Sequence, residues 1–374
     1  MKNWQETHRV LDEIAELKAR GRRSALAVIV GIEGSAYRRS GAKLLICDDG
    51  SLLGNVSGGC LESDVREVGM GLLANGGVRL LHYDTTGRED VVWGFGVGCN
   101  GKVDILVQPA DSPGVRDTVD AVRNLTKGAA AFALCLVVAG RNLGRMVVVA
   151  GGQVVGGGGI SNLDAAIAER ALTELPSGES RIHEFGESQV FIEVLRPPPS
   201  LVVCGAGDDS MPLVRLAADA GFRVTVVDHR PAFLTKERFP DAVALVKASA
   251  DDAVNGFQLE KDAFAVVKSH VLVQDRGWVK RFADGSARYI GVLGSRWRRD
   301  EIIAPLSAEQ RRTIYGPIGL DIGAEGPEQI AISVVSEVLA VWSGRTPMHL
   351  RDRREAIHEH RSKAGRGDKR PARA

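Results

Sequence analysis

The chain has 374 residues, long enough to bury a sizeable core and to divide into two or three domains. Its 48 basic and 47 acidic residues leave a formal charge of +1, which offers no general attraction to nucleic acid or to an anionic membrane. Small molecules and other proteins are the expected partners.

The polar opening MKNWQETHRV lacks the apolar core of a signal peptide, so a cytoplasmic location is expected. The five cysteines (Cys47, Cys60, Cys99, Cys135, Cys204) are odd in number, widely spread and without the short paired spacing of a zinc site, which fits a reducing compartment. The 44 glycines are about 12% of the chain against a usual ~7%, and they cluster in loops, where backbone can approach a ligand.

In chain order, Trp4, Leu11, Ile14 and Leu17 share one face of an amphipathic helix that Gly21 stops. ALAVIVGI reads as a buried strand, GSAYRRSGAK as a polar, basic loop, and KLLIC and SLLGNVS as strands joined at Asp48, Asp49 and Gly50. The loop SGGC follows. Cys60 stands at the mouth of a helix whose Val65, Val68, Leu72 and Leu73 recur at helical spacing. The positive end of a helix dipole raises the thiolate fraction of a cysteine placed there, while Glu62 and Asp64 work against that shift. A buried cysteine filling a tight turn is the alternative reading.

RLLHYDT reads as a strand, and REDVVWGFGVGCNGKVDILVQP as a glycine-rich loop that runs into another. A helix is expected over about 115–125. The apolar run AAAFALCLVVA is too short for the roughly 18 residues of a membrane-spanning helix and reads as a buried strand, paired with RMVVVAG across a turn at Arg141 to Gly144. The run Gly156 to Gly159 is expected to be a flexible loop before the helix SNLDAAIAERALTEL. HEF and VFIEVL close a first domain at residue 195. The prolines of RPPPS, 196–200, mark a stiff linker.

LVVCGAGDDSMPLVRLAADAGFRVTVVDHR is then a strand, glycine turn, helix and strand, the opening of a doubly wound Rossmann-like fold expected over 201–345. Gly205 and Gly207 make the turn, Ser210 stands where a third glycine or alanine is usual, and Asp228 closes the second strand where a carboxylate commonly holds a ribose hydroxyl. That pattern keeps NAD(P) open as a cofactor. Asp208 and Asp209 at the helix start oppose a pyrophosphate. VALVKA, AFAVVKSH and YIGVLGS supply further strands. Gly294 and Ser295 open a helix beside Arg296, Arg298 and Arg299, either an anion site or a basic solvated turn. His270, at a strand end, is a site candidate or a structural residue. A helix begins at Pro327, and the basic tail over 346–374 is expected to be disordered.

Six segments in this order, GSAYRRSGAK, GNVSGGCLESDV, YDTTGREDVVWGFGVGCNGKV, CGAGDDSMPLVRLAADAGFRVTVVDHR with RFPDA behind it, YIGVLGSRWRRDEI and PIGLDIGAEGPEQIAISVVSEVL, make the chain resemble the xanthine dehydrogenase accessory factor (XdhC/CoxI) family over all but the tail. The resemblance implies a mixed α/β N-terminal domain followed by a Rossmann-like doubly wound domain. It also implies a cytoplasmic chaperone for molybdenum hydroxylases, a carrier more than a catalyst, that binds molybdenum cofactor and helps its sulfurated form reach the apoenzyme. A cysteine desulfurase and a second copy of the chain join the apoenzyme as candidate partners. Cys60 and Cys99 then become possible molybdenum contacts. Gly58 and Gly59, with Arg38, Arg39 and Lys43, become candidates for the cofactor's phosphate end, as thiolates are soft ligands and glycine-loop amides suit phosphate. The family pattern has a His directly after the GAG turn and a Pro at position 37, where this chain has Asp208 and Tyr37. An NAD(P)-dependent oxidoreductase built on Asp228, and an empty Rossmann scaffold serving dimerisation, are the competing readings.

Overall fold

The structure is a computed structural model and describes residues 2–34, 36–84, 101–159, 161–251, 257 and 259–354. The first half holds two five-stranded antiparallel sheets. In sheet A the order is β3 (Leu52–Gly54), β2 (Lys43–Cys47), β1 (Ser24–Gly34), β5 (Gly101–Pro109) and β4 (Arg79–Asp84). Sheet B runs β8 (Gln153–Gly156), β7 (Met146–Ala150), β6 (Phe132–Ala139), β10 (Ser188–Leu195) and β9 (Arg181–Phe185).

Helices α1 (Lys2–Ala19) and α3 (Pro113–Thr126) pack between the two sheets. Trp4, Leu11, Ile14 and Leu17 of α1 and Val115, Val119 and Val122 of α3 share one core with Leu26 and Val28 of β1 and Phe132, Leu134 and Leu136 of β6. The outer face of sheet A is covered by α2 (Glu62–Asn75) through Val65, Leu72 and Leu73, and that of sheet B by α4 (Ser161–Glu174) through Ile167 and Ala171. Each central strand is therefore buried on both faces. This is why ALAVIV and FALCLVV read as continuous apolar runs and do not alternate with polar residues.

The second half is one parallel sheet, C, ordered β13 (Ala244–Lys247), β12 (Arg223–Asp228), β11 (Ser200–Cys204), β14 (Phe264–Val267), β15 (Tyr289–Val292) and β16 (Ile314–Tyr315). Numbered from its own first strand, that is 3-2-1-4-5-6, the order of a dinucleotide-binding fold, whose crevice opens where the winding reverses, here between β11 and β14. Helices α5 (Met211–Ala220) and α8 (Gly326–Ser343) cover one face of this sheet, and α6 (Leu272–Ala283) with α7 (Arg296–Ile303) the other.

Several sequence expectations shift in detail. SLLGNVS keeps only Leu52–Gly54 as strand, and two short edge strands, β8 and β16, escape a reading by hydrophobic pattern because four and two residues cannot establish a period. The glycine run at 156–159 is tethered where a flexible loop was expected. Arg145 donates to the Gly157 carbonyl at 3.2 Å and pairs with Asp164 at 2.6 Å, and Asp164 also accepts the Gly159 N–H at 2.8 Å. Residues 355–374 of the expected tail lie outside the described residues.

Candidate functional site

Strand register brings three loop stems to one end of sheet A. Gly34 at the end of β1 is opposite Gly101 at the start of β5, Asp84 at the end of β4 is opposite Lys102, and Leu44 of β2 is opposite Gly54 at the end of β3. The segment from Gly54 to α2 carries Cys60. Cys99 lies outside the described residues.

The Cys60 loop is held by a reciprocal clasp. The Ser57 hydroxyl accepts the N–H groups of Gly59 at 3.1 Å and Leu61 at 3.0 Å and donates to Glu62. Glu62 in turn accepts the N–H groups of Val56 at 3.1 Å and Ser57 at 2.7 Å. Burial works against the Glu62 carboxylate, but these hydrogen bonds outweigh it and hold its pKa below the usual value. Gly59 turns the chain at φ +114°, a conformation that glycine adopts without strain. The helix begins at Glu62, so Cys60 lies just outside its first turn. Like Val68, Leu81 and Tyr83, it packs partly buried against the α2 core.

Among the described cysteines, Cys47, Cys135 and Cys204 are buried and Cys60 is half-exposed. Burial pushes the Cys135 and Cys204 thiols well above the ordinary value, which keeps them in the unreactive thiol form. Tyr37, 70% exposed, lies against Gly58, and its ring is 3.7 Å from where a Cβ on that glycine would stand.

The basic residues expected near this loop divide. Arg39 is exposed on the same segment. Arg38 is paired with Glu6 of α1. Lys43 is withdrawn from the surface altogether. It is fully buried between the sheets, its Nζ 2.9 and 2.7 Å from the two carboxylate oxygens of Glu193 on β10 and 2.8 Å from the Gly41 carbonyl. The reason is strand parity: Lys43 shares a face of β2 with Leu45 and Cys47, the face turned to sheet B. Its ammonium group joins sheets where a phosphate contact was expected.

At the switch point of sheet C, Gly205 has φ +122°, and a Cβ there would stand 2.6 Å from the Lys268 carbonyl, so only glycine lets β11 turn this close to β14. Asp228 is buried, accepts the Ala206 N–H at 2.7 Å and forms a two-pronged pair with Arg230 at 3.0 and 2.9 Å. Burial opposes its ionisation, but these bonds bring its pKa down to about 2. The carboxylate thus braces the glycine turn. Asp209 folds over Gly207, its Oδ1 2.7 Å from where a Cβ would be, and pairs with Lys268 at 2.7 Å and His270 at 3.0 Å. Asp208 pairs with Arg238 at 2.7 Å. Carboxylates thus occupy the approach that a dinucleotide's diphosphate uses, and like charge opposes it there.

Farther along, Gly294 has φ +127° and Ser295 caps α7, its side chain accepting the Arg298 N–H. Arg298 is engaged by Asp275 at 2.6 Å. Ser295 is thus a helix cap, beside Arg298 held in an ion pair. Lys268 was missed in the sequence, although a lysine ending the apolar strand AFAVV at a switch point is a readable signal.

Among the described residues no helix is long and apolar enough to cross a membrane, and no cluster of three or more His, Cys, Asp or Glu side chains could hold a metal ion.

Comparison with known proteins agrees with this architecture. Residues 201–338 match the family model described as the XdhC Rossmann domain, and residues 17–84 that of the XdhC and CoxI family. The chain is 33% identical over 336 residues to a Bacillus subtilis protein named as a probable subunit of xanthine dehydrogenase, spanning 89% of this chain and 96% of that one. It is 29% identical over 222 residues to the uncharacterised Escherichia coli protein YqeB, covering 54% of this chain and 41% of that protein. A solved structure described as a xanthine dehydrogenase from Bacillus halodurans superposes with a TM-score of 0.74 at 26% identity, over 90% of this chain and 96% of the other. With both halves matched in order and a relative aligned nearly end to end, the chain belongs to the XdhC and CoxI family.

Proposed function

We propose that this protein is an accessory factor for molybdenum hydroxylases such as xanthine dehydrogenase, and that it binds molybdenum cofactor at the Cys60 loop and assists its sulfuration and insertion. The observation that carries the reading is the half-exposed Cys60 on a loop clasped by Ser57 and Glu62, in a chain of this family. The residues suit such a group. A thiol is a soft donor matched to molybdenum or sulfur, glycine-loop backbone suits a phosphate, and the exposed Tyr37 ring beside Gly58 offers a face to a planar pterin. When bound, the cofactor would supply the oxidative hydroxylation chemistry of the client enzyme, and this chain's part is to hold, orient and shield it. The partners that follow are the hydroxylase apoenzyme, a cysteine desulfurase and a second copy of this chain, in the cytoplasm.

The test is molybdenum content and fluorescence of oxidised pterin in protein purified anaerobically from a cofactor-producing host, wild type beside Cys60→Ala. Pterin retained by the wild type and lost from a folded Cys60→Ala variant is the expected result. Equal retention in both removes the role of the thiol. The competing reading, an NAD(P)-dependent oxidoreductase, is tested by titrating NAD(H) and NADP(H). The carboxylates over the glycine turn weigh against it.

A further inference from the structure

Helix α8 presents an outer face without charge. A quarter of the chain is charged, and a surface helix ordinarily turns its charges to water. Over 330–343, IAISVVSEVLAVWS, the one charge is Glu337, and its carboxylate accepts the hydroxyl of the buried Tyr289. Ala331, Val334, Val335 and Val338 face the core. At about 3.6 residues per turn the opposite side carries Gln329, Ile332, Ser336, Leu339, Ala340 and Ser343. Ile332 is 49% exposed, Gln329 and Ser343 are exposed, and Ser336, Leu339 and Ala340 are half-buried. Water therefore meets an apolar and weakly polar surface along most of the helix.

The two ends of α8 are charged, and opposite in sign. Residues 321–328 hold Asp321, Glu325 and Glu328 and no base, and all three acids are exposed. Residues 345–354 hold Arg345, Arg351, Arg353 and Arg354 against one acid, Asp352. Gly344 ends the helix at φ +66°, and the Arg345 N–H returns to the Ala340 carbonyl at 2.9 Å, which fixes Arg345 at that end. Exposed apolar side chains lie at both ends as well, Ile322 at 53% and Leu350 at 62%.

Reversed end for end, this face is complementary to itself. With Ser336 on a two-fold axis, Ile332 and Ala340 each stand four residues from the centre, Gln329 and Ser343 seven, Glu328 eight and Arg345 nine. In an antiparallel pair the large Ile332 of one copy thus meets the small Ala340 of the other, and Glu328 meets Arg345. A parallel pair would set acid against acid and base against base. Small side chains at the crossing let the two axes approach closely, and a patch that pairs with itself about a two-fold makes a closed contact. We infer that α8 is the seat of a symmetric dimer, in which the same face of a second copy of this chain packs antiparallel across Ser336. This gives a place to the second copy proposed above as a partner and rests on that reading, but not on the Cys60 loop.

The experiment is sedimentation equilibrium on the full chain from about 0.1 to 100 µM. A mass of two chains is expected, with a Kd of about 1–10 µM, since a two-helix contact lies at the small end of specific interfaces. Ser336→Arg sets two like charges together at the axis and should weaken the dimer about a hundredfold. Glu328→Arg and Arg345→Glu should each weaken self-association about tenfold. Mixed together, these two variants should form mixed dimers about as tight as wild type, because each arginine then faces a glutamate of the other chain. Should Ser336→Arg not fold, the mixture decides by itself. A monomer throughout this range, an unchanged dimer in folded Ser336→Arg, or no preference for mixed pairs overturns the interface. A monomer that still retains pterin through Cys60 overturns it and leaves the Cys60 reading standing.

Discussion

Lys43 and Glu193, 150 residues apart in sequence, form an ion pair with 0% and 1% of their side chains exposed. Burial pushes the Glu193 carboxyl pKa up, and the ammonium group of Lys43 opposes that shift. Removing one partner of such a pair strands the other charge, at a cost of about 3–5 kcal/mol, whereas replacing both with apolar groups is often neutral or better. Lys43→Met should therefore lower unfolding free energy in urea by about that amount, and Lys43→Met with Glu193→Leu should regain most of it. In the single variant Glu193 escapes the penalty by binding a proton, so its folded pKa lies above its unfolded value. The deficit is then small below about pH 4 and grows as pH rises through the folded pKa. A deficit independent of pH would show that Glu193 is rehydrated. The sequence reading placed Lys43 at a phosphate because a lysine ending a basic loop looks the same whether it faces solvent or a second sheet.

At the scale of elements, two glycines with nearly the same backbone angle separate strain from steric contact. Gly59 has φ +114° and nothing within 4 Å of where a Cβ would stand, whereas Gly205 has φ +122° and the Lys268 carbonyl 2.6 Å away. Gly59→Ala should cost only the backbone strain, about 1–3 kcal/mol, and Gly205→Ala more, because β11 and β14 must also part. Unfolding free energies of the two variants, side by side, check this. If they match, the turn after β11 yields to a methyl group without parting β11 from β14. The strand–turn–helix–strand unit was legible because glycine spacing and a terminal acid are local features. The task of Asp228 was not, since it comes from Arg230 and the Ala206 N–H once the turn has closed.

Across the whole molecule, sheets A and B share one core through α1 and α3, with Trp4 and Phe132 rings 5.2 Å apart at its centre. Phe132→Ala should cost about 3–5 kcal/mol. Because the cavity opens between the sheets, hydrogen exchange should quicken in β1 as well as in β6 and β10, with sheet C little changed. Faster exchange confined to sheet B would mean that the two sheets are not one cooperative unit. Periodicity and punctuation sufficed for most elements and for the parallel second half, because hydrophobic runs, caps and glycine turns are written within a few residues of one another, and six motifs in order carried the resemblance to the family. Pairings between distant segments were beyond that reach: Lys43 with Glu193, and Lys268 with Asp209. Each depends on which face of a strand meets which face of a helix, and a single chain position carries no record of its neighbour across the core until packing has chosen it.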